Sequence, residues 1–150
     1  MHFISEPNDG LIIWSFGTTV NSEQIPKQTL ITVGRALSRL PNFRVVALID
    51  PWLGKELGMP QNVLCAKPIP QATLLGHNST RLFINHFGGN GVFEAILSGV
   101  PMVGMLCGAG GDNAQISDLV VNHGLGLRID PNPSEKQAWR AINTVLTEDR

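Results

Sequence analysis

The stretch Phe83–Glu94 constrains the fold of this chain more than any other. It reads Phe-Ile-Asn-His-Phe-Gly-Gly-Asn-Gly-Val-Phe-Glu: a short apolar strand, a glycine-rich turn that contains His86, and the start of a helix. Glycine lets the backbone approach a ligand closely, and the first N–H groups of a helix attract an anion. Glu94 follows Asn90 by about one helical turn, so both could face one crevice. The stretch therefore predicts a phosphate-binding strand–turn–helix at the carboxyl end of a strand, where open α/β sheets place ligands.

The composition narrows the class of protein. A chain of 150 residues with 43% hydrophobic and 15% charged residues is typical of one compact domain with its own core. The net charge of −1 and the lack of a Lys/Arg cluster argue against nucleic acid as a partner. No run approaches the ~20 apolar residues of a membrane span, and the first ten residues lack the basic region of a signal peptide. We expect a soluble domain that is a piece of a longer protein.

The sequence suggests neither a disulfide nor a metal centre. Cys65 and Cys107 are far apart and are expected to be two buried free thiols. Together with His77, His86 and His123 they show no metal-ligand spacing. We therefore expect no metal and no cofactor.

Segments of strand length alternate with helical segments along the whole chain. The run Leu11–Phe16 is apolar except at Ser15, as in a strand buried on both faces. The other strands are expected at residues 43–49, 62–65, 82–86, 101–106 and 125–129. This alternation predicts an α/β fold, with a Rossmann-like parallel sheet, right-handed crossovers and helices on both faces.

Capping residues predict where several helices begin and end. Asn21, with Gln24 three residues later, predicts the start of a helix that ends at Pro41. Gly99 is expected to close the helix that follows the glycine-rich turn. Ser134 and Gln137 have the spacing of a capping box for the last helix, whose inner face is expected to hold Trp139, Ile142, Val145 and Leu146.

Two other segments are expected to be mostly irregular. Pro68–Gln71 contains two prolines and is expected to be a loop. Residues 51–60 are expected to be a loop with at most one helical turn.

Asp112 could cap the helix that follows the fifth strand. That helix has residues at helical spacing on one face: Ile116, Leu119, Val120 and His123.

A second glycine-rich segment, Gly108–Gly111, suggests a dinucleotide-binding loop as an alternative. The third glycine of that fingerprint would fall at Asn113, and the segment follows the fifth strand instead of the first. The sequence contains neither a Walker motif nor the Gly-x-Ser-x-Gly of a nucleophile elbow. The turn around His86 therefore remains the stronger prediction for a binding site.

Two blocks of the chain resemble the C-terminal half of the UDP-glycosyltransferases, and most of all the animal UDP-glucuronosyltransferases. They are residues 69–77, Ile-Pro-Gln-Ala-Thr-Leu-Leu-Gly-His, and residues 83–104, which include the turn around His86. Weaker similarity is seen at residues 14–18, at 112–114 and at Asp130. The resemblance implies a GT-B architecture, in which two Rossmann-like domains face each other across a cleft. This chain would be the C-terminal domain, which binds the nucleotide-sugar donor.

The same resemblance implies a reaction and its partners. The family's N-terminal domain, expected elsewhere in the same chain, binds the acceptor and carries a histidine base with an aspartate partner. That base would deprotonate an acceptor hydroxyl for attack on the anomeric carbon with inversion, while the donor domain neutralises the leaving UDP. No catalytic residue is therefore expected in this domain, and the UDP-sugar is a co-substrate. An endoplasmic-reticulum membrane anchor, with this domain in the lumen, would come from segments outside these residues.

The resemblance also assigns candidate binding residues. His86 matches the pyrophosphate contact, which suits an imidazole because it can donate a hydrogen bond. Glu94 matches the ribose contact, which suits a carboxylate because it can accept from both hydroxyls. The other matched positions are Gly88, Asn90 and Gly91 in the phosphate turn, Gln71 at the uracil, and Thr18 beside the phosphates.

Several positions depart from the family pattern. Pro68 stands where the family has a tryptophan that stacks on uracil, and Phe87 stands where the residue is usually small. Gly110-Gly111 aligns with an Asp-Gln pair that holds the sugar hydroxyls, and one residue is missing before Asp112. An arginine or lysine usually found near the second strand is absent at Val46-Ala47. Asp112 is the candidate replacement for the lost sugar contact.

These departures leave two functions open. The first is the donor domain of an active UDP-glycosyltransferase that transfers a sugar to a small lipophilic acceptor. The second is a degenerate homologue that binds a nucleotide weakly or serves as a protein-interaction module. Saturable binding of a UDP-sugar would distinguish the first from the second.

Overall fold

The computed structural model describes residues 2–17, 20, 22–107 and 111–148. Within these ranges the chain forms a six-stranded sheet in the order β3-β2-β1-β4-β5-β6, and each neighbouring pair is parallel. The strands are β1 (Gly10–Trp14), β2 (Phe43–Leu48), β3 (Val63–Ala66), β4 (Thr80–Asn85), β5 (Met102–Met105) and β6 (Gly126–Ile129). The predicted α/β class and all six expected strands are confirmed.

Helices cover both faces of the sheet, as predicted. They are α1 (His2–Ser5), α2 (Lys27–Ser38), α3 (Pro51–Glu56), α4 (Gln71–Leu75), α5 (Gly89–Ser98), α6 (Asn113–Asn122) and α7 (Glu135–Thr147). One core cluster joins the sheet to α2, α3 and α7, and another joins it to α4, α5 and α6. The sheet is thus enclosed between two apolar layers, which accounts for its continuous apolar strands.

The central strand β1 positions the functional region. All five of its residues are buried, and it pairs with β2 on one side and β4 on the other. The chain runs outward from β1 to β3 in one direction and from β4 to β6 in the other. Such a reversal of strand order leaves a crevice beyond the carboxyl ends of the two central strands.

Four local predictions are corrected by the structure. The second helix begins at Lys27 after Pro26, so Asn21 is not its N-cap; Asn21 itself lies outside the described residues. The carbonyl of Pro26 accepts from the N–H groups of Thr29 and Leu30, while Ser22–Gln24 forms a separate 3-10 turn. Proline cannot donate to a preceding turn, so it separates the two helical segments.

The other three corrections concern α3, the start of α4 and the buried face of α6. Pro51–Glu56 forms a helix of six residues, whereas residues 51–60 were expected to be a loop with at most one turn of about 3.6 residues. Gln71 is the first residue of α4 instead of part of a loop, because Pro70 precedes the helix without entering it. In α6 the fully buried residues are Ser117 and Val120, whereas Leu119 is 58% exposed. His123 is also exposed. Helical spacing alone did not identify which side of α6 meets the sheet.

The capping box predicted at the start of α7 is present. The Ser134 hydroxyl accepts from the Gln137 N–H at 3.1 Å, and the Gln137 amide oxygen accepts from the Ser134 N–H at 2.9 Å. Ser134→Ala should lower the free energy of unfolding by about 1 kcal/mol, since the Gln137 N–H loses its acceptor, the Ser134 hydroxyl. Urea denaturation measures this change, with the exposed Ser98→Ala as the matched control. Identical midpoints for the two variants would show that the box adds nothing.

Candidate functional site

A cleft lies at the switch point between β1 and β4. It encloses about 1030 Å³, which is at the upper end of the range for small-molecule sites. Its lining comes from segments that follow the carboxyl ends of the strands and from the first turns of α4 and α5. Among the lining residues are Ser15, Gly17, Pro68, Gln71, Asn85, His86, Gly88, Gly89, Asn90, Gly91, Glu94, Cys107, Gly111 and Asn113. Six of the eight candidate binding residues are therefore brought together here.

His86 is the first residue after β4 and is held in a narrow cradle. A Cβ atom built on Gly17 would lie 2.9 Å from His86 Cε1, and one built on Gly88 would lie 2.6 Å from it. The ring of Phe16 meets the imidazole edge-on, with 6.4 Å between ring centroids. The two glycines are thus needed because no side chain fits between them and the imidazole.

Burial sets the electrostatics of His86. The residue is 8% exposed, and its Nδ1 is buried with no hydrogen-bond partner among the described residues. Desolvation lowers the pKa of His86 below its ordinary value of 6.5, because the charged imidazolium loses its hydration. The ring is therefore neutral at neutral pH unless an anion enters the cleft.

The amino end of α5 faces the same cleft. Gly88 precedes the helix in extended conformation, and its carbonyl accepts from the Val92 N–H at 3.0 Å. The N–H groups at Gly89, Asn90 and Gly91 belong to the first turn, so they have no acceptor within the helix. All three residues line the cleft. The positive end of the helix dipole and the turn thus form an environment suited to a phosphate.

A side-chain hydrogen bond connects α4 and α5 at the rim of the cleft. Gln71 Nε2 donates to Glu94 Oε2 at 2.9 Å, although the two residues are 23 positions apart. Gly91 lies close to this pair, since a Cβ there would be 3.4 Å from Gln71 Nε2, which is ordinary van der Waals contact. The amide orients the carboxylate while leaving it further lone pairs for hydroxyl donors.

The remaining predicted binding residues either lie outside the cleft or are not described by the structure. Thr18 and Gly110 lie outside the described residues. Asp112 is the N-cap residue of α6, as predicted, but its side chain makes no capping hydrogen bond. Its side chain is exposed, and the neighbours Gly111 and Asn113 line the cleft instead.

Two asparagines in the cleft were missed by the sequence reasoning. Asn113 Nδ2 donates to the carbonyl of His86 at 3.2 Å and so ties α6 to the end of β4. Asn85 is 2% exposed and accepts from the Phe87 N–H at 3.0 Å. Asn85 could have been identified from the sequence. An asparagine at the end of an apolar strand is unusual unless its side-chain amide makes a hydrogen bond to the nearby backbone.

Cys107 also borders the cleft and gives a prediction for alkaline pH. It is 7% exposed, and burial raises the pKa of its thiol from 9.0 to about 11. Between these two values the unfolded chain loses the proton first, so stability should fall as pH rises above 9. Urea unfolding under reducing conditions should show a steeper fall for the wild type than for Cys107→Ala. Parallel stability curves from pH 8 to 11 would contradict this account.

The described part of the chain shows no further obvious chemical centre. No group of three or more His, Cys, Asp or Glu side chains is placed there to hold a metal ion. Among the helices of residues 2–17, 22–107 and 111–148, none has the length and apolar character needed to cross a bilayer.

Comparison with solved structures shows the fold. Os79 from O. sativa, crystallised in complex with UDP, superimposes with a TM-score of 0.80 at 24% identity, covering 99% of this chain and 34% of that one. The glycotransferase of kitacinnamycin also has a TM-score of 0.80 at 24% identity, covering 95% of this chain and 36% of that one. These neighbours are GT-B glycosyltransferases, so the expected Rossmann-like fold is confirmed.

Comparison of sequences shows the family. The profile described as "UDP-glucoronosyl and UDP-glucosyl transferase" matches residues 2–148. UDP-glucuronosyltransferase 1A9 of Mus musculus is 36% identical over 108 residues, which are 71% of this chain and 19% of that protein. UDP-glucosyltransferase 2 of Dactylopius coccus is 34% identical over 103 residues, 69% of this chain and 19% of that protein. The chain thus spans about a fifth of the length of these relatives, and it belongs to the UDP-glucoronosyl and UDP-glucosyl transferase family.

Proposed function

We propose that these residues form the donor-binding domain of a UDP-glycosyltransferase. The observation that carries the proposal is the convergence of His86, the glycine turn and the amino end of α5 on one cleft at the switch point of the sheet. Family membership supports the same conclusion, since the matched profile names UDP-glucoronosyl and UDP-glucosyl transferases. Os79, which shares the fold, was crystallised with UDP.

In this proposal each part of the donor has its own partner in the cleft. The diphosphate lies over the first turn of α5, where free N–H groups and the His86 imidazole donate to its oxygens. Glu94, oriented by Gln71, accepts from the ribose hydroxyls. The uracil would lie toward Pro68 and Gln71, and the sugar toward Gly111 and Asn113, by the resemblance to the family, and all four residues line the cleft.

The chemistry follows from this arrangement. As the bond between the anomeric carbon and the diphosphate breaks, negative charge develops on the leaving UDP. Oriented N–H groups and an imidazole near that charge stabilise the transition state more than the ground state. The base that activates the acceptor would come from an N-terminal domain of the same chain. This domain would then transfer nothing by itself, and any membrane anchor in the endoplasmic reticulum would lie in other segments.

The alternative function is a degenerate homologue with weak nucleotide binding. It is favoured by Pro68, which borders the cleft where the family places a stacking tryptophan, and by Asp112, which does not border the cleft. Calorimetric titration of the chain with UDP tests the donor-domain proposal. We expect saturable one-to-one binding; an absence of measurable heat and of any chemical-shift change at millimolar UDP would refute the donor-domain proposal.

The sugar is expected to add little to the affinity for UDP. Each sugar hydroxyl that loses its hydration needs a partner, and Gly111 offers only backbone groups where the family has a side chain. UDP-glucose and UDP-glucuronate should therefore bind about as tightly as UDP when the three are titrated at one salt concentration. Tenfold tighter binding of either sugar nucleotide, equivalent to ~1.4 kcal/mol, would reveal a sugar contact other than those described here.

A further inference from the structure

Phe87, directly after His86, has an unusual backbone. Its φ angle is 62°, and no other non-glycine residue in the described ranges has a positive φ. Its side chain is completely buried. A bulky residue is strained in the left-handed region, so the surrounding structure must hold it there.

Two contacts hold Phe87. Its N–H donates to Asn85 Oδ1 at 3.0 Å, which closes an Asx-type turn across His86. Its ring lies against Gly104 of β5, where a built Cβ would come within 2.4–2.7 Å of three ring carbons. The missing side chain of Gly104 is therefore the space that the phenyl ring fills.

These contacts bracket His86 on both sides. Asn85 precedes it and Phe87 follows it, while Asn113 holds its carbonyl from α6 at 3.2 Å. The cradle between Gly17 and Gly88 fits the imidazole closely. The imidazole can therefore occupy it only if the backbone at residues 85–87 keeps this conformation.

We propose that Asn85, Phe87 and Gly104 form a lock that positions His86 in the donor cleft. The expected effect of the lock on UDP binding rests on the proposed function. Its effect on the position of the His86 ring does not depend on any ligand. None of the three residues needs to touch the donor. They act through His86, so breaking the lock should weaken UDP binding even though the imidazole remains in the chain.

The state of the His86 ring reports whether the lock is intact. In the cradle, desolvation keeps the pKa of His86 low. A ring released into water should titrate closer to the ordinary value of 6.5. The other titratable groups bordering the same cleft are Glu94 and Cys107. Neither is substituted in any of the variants, and burial keeps the Cys107 thiol neutral below pH 9.

The test uses Asn85→Ala, which removes the acceptor, and Asn85→Ser, whose hydroxyl can accept from the same N–H. The exposed Asn122→Ala is the control. NMR titration of the unliganded proteins, with the His86 signals assigned through His86→Gln, gives the midpoint for the ring. We expect Asn85→Ala to raise this midpoint and to weaken UDP binding about tenfold. Asn85→Ser and Asn122→Ala should remain close to the wild type in both measurements.

A second pair of variants tests the coupling to Phe87. Glycine takes a positive φ without strain, so Asn85→Ala should have a smaller effect in a Phe87→Gly background than in the wild type. Gly104→Ala should raise the His86 midpoint because the phenyl ring loses its space. Should Asn85→Ala destabilise the fold too far, the midpoint of Gly104→Ala decides the question, since an unchanged value in that folded variant would disprove the lock.

The outcomes separate the lock from the proposed function. If the wild type binds no UDP, the donor-domain proposal fails, but the His86 midpoints still test the lock. If folded Asn85→Ala and Gly104→Ala show the wild-type midpoint and the wild-type affinity for UDP, the lock is disproved while the donor domain stands. If the variants lose thermal stability while the titration midpoint of His86 stays unchanged, the three residues contribute only to packing.

Discussion

His86→Ala is expected to weaken the binding of UDP by one to two orders of magnitude. The imidazole lies at the end of β4 beside the first turn of α5, where an incoming diphosphate would accept a hydrogen bond from it. Loss of a charge-assisted hydrogen bond is typically worth ~1.5–3 kcal/mol, and each 1.4 kcal/mol corresponds to about tenfold in affinity. Calorimetry at fixed pH and salt measures the change, and His77→Ala, at an exposed position, is the matched control.

Glu94→Gln provides an independent test of the same site. The substitution keeps the size of the side chain but removes the charge that strengthens its hydrogen bonds to ribose hydroxyls. It also replaces the acceptor that Gln71 uses at 2.9 Å. We expect a weaker affinity for UDP with little change in thermal stability. If both His86→Ala and Glu94→Gln bind UDP as the wild type does, the assignment of the site is wrong.

Gly88→Ala should have a comparably large effect through sterics alone. Gly88 has a φ of −68°, which alanine adopts without strain, but the new Cβ would lie 2.6 Å from His86 Cε1 and 2.8 Å from its Nε2. The ring must then leave its cradle. We expect at least a tenfold loss of UDP affinity, similar to that of His86→Ala, because the same hydrogen bond is lost.

Gly76→Ala is the matched control for Gly88→Ala. Gly76 has a φ of −77°, and a Cβ there would meet only carbonyl oxygens at 3.5 Å or more, which is ordinary contact. It should leave UDP binding unchanged. Equal affinities for the two alanine variants would mean that the cradle around His86 does not govern binding.

The strands of this fold were predictable because their signal is local. The run at Leu11–Trp14 is apolar at each position, and prolines and glycines bound the neighbouring segments, so the six strands and their parallel arrangement followed from the order of elements. The turn at Gly88–Gly91 was predictable for the same reason, since its glycines follow His86 closely in the sequence His-Phe-Gly-Gly-Asn-Gly.

What the sequence did not reveal depends on contacts between distant segments. The buried face of α6 is decided by the neighbours of Val120 and Ser117, because Leu119 has the same apolar character and is nevertheless exposed. The bond between Gln71 and Glu94, and the fit of Phe87 against Gly104, join residues from separate elements. Phe87 departs from the family pattern in sequence, and the structure shows that Gly104 leaves the space for its ring.

A structure of the chain with UDP bound tests the central claim most directly. Crystals grown with UDP, or intermolecular NMR contacts to isotope-labelled protein, would locate each part of the nucleotide. We predict that the diphosphate lies at the amino end of α5 within hydrogen-bond distance of His86, with the ribose on Glu94. UDP bound elsewhere on the domain, or with its diphosphate away from the turn at Gly88–Gly91, would contradict the account.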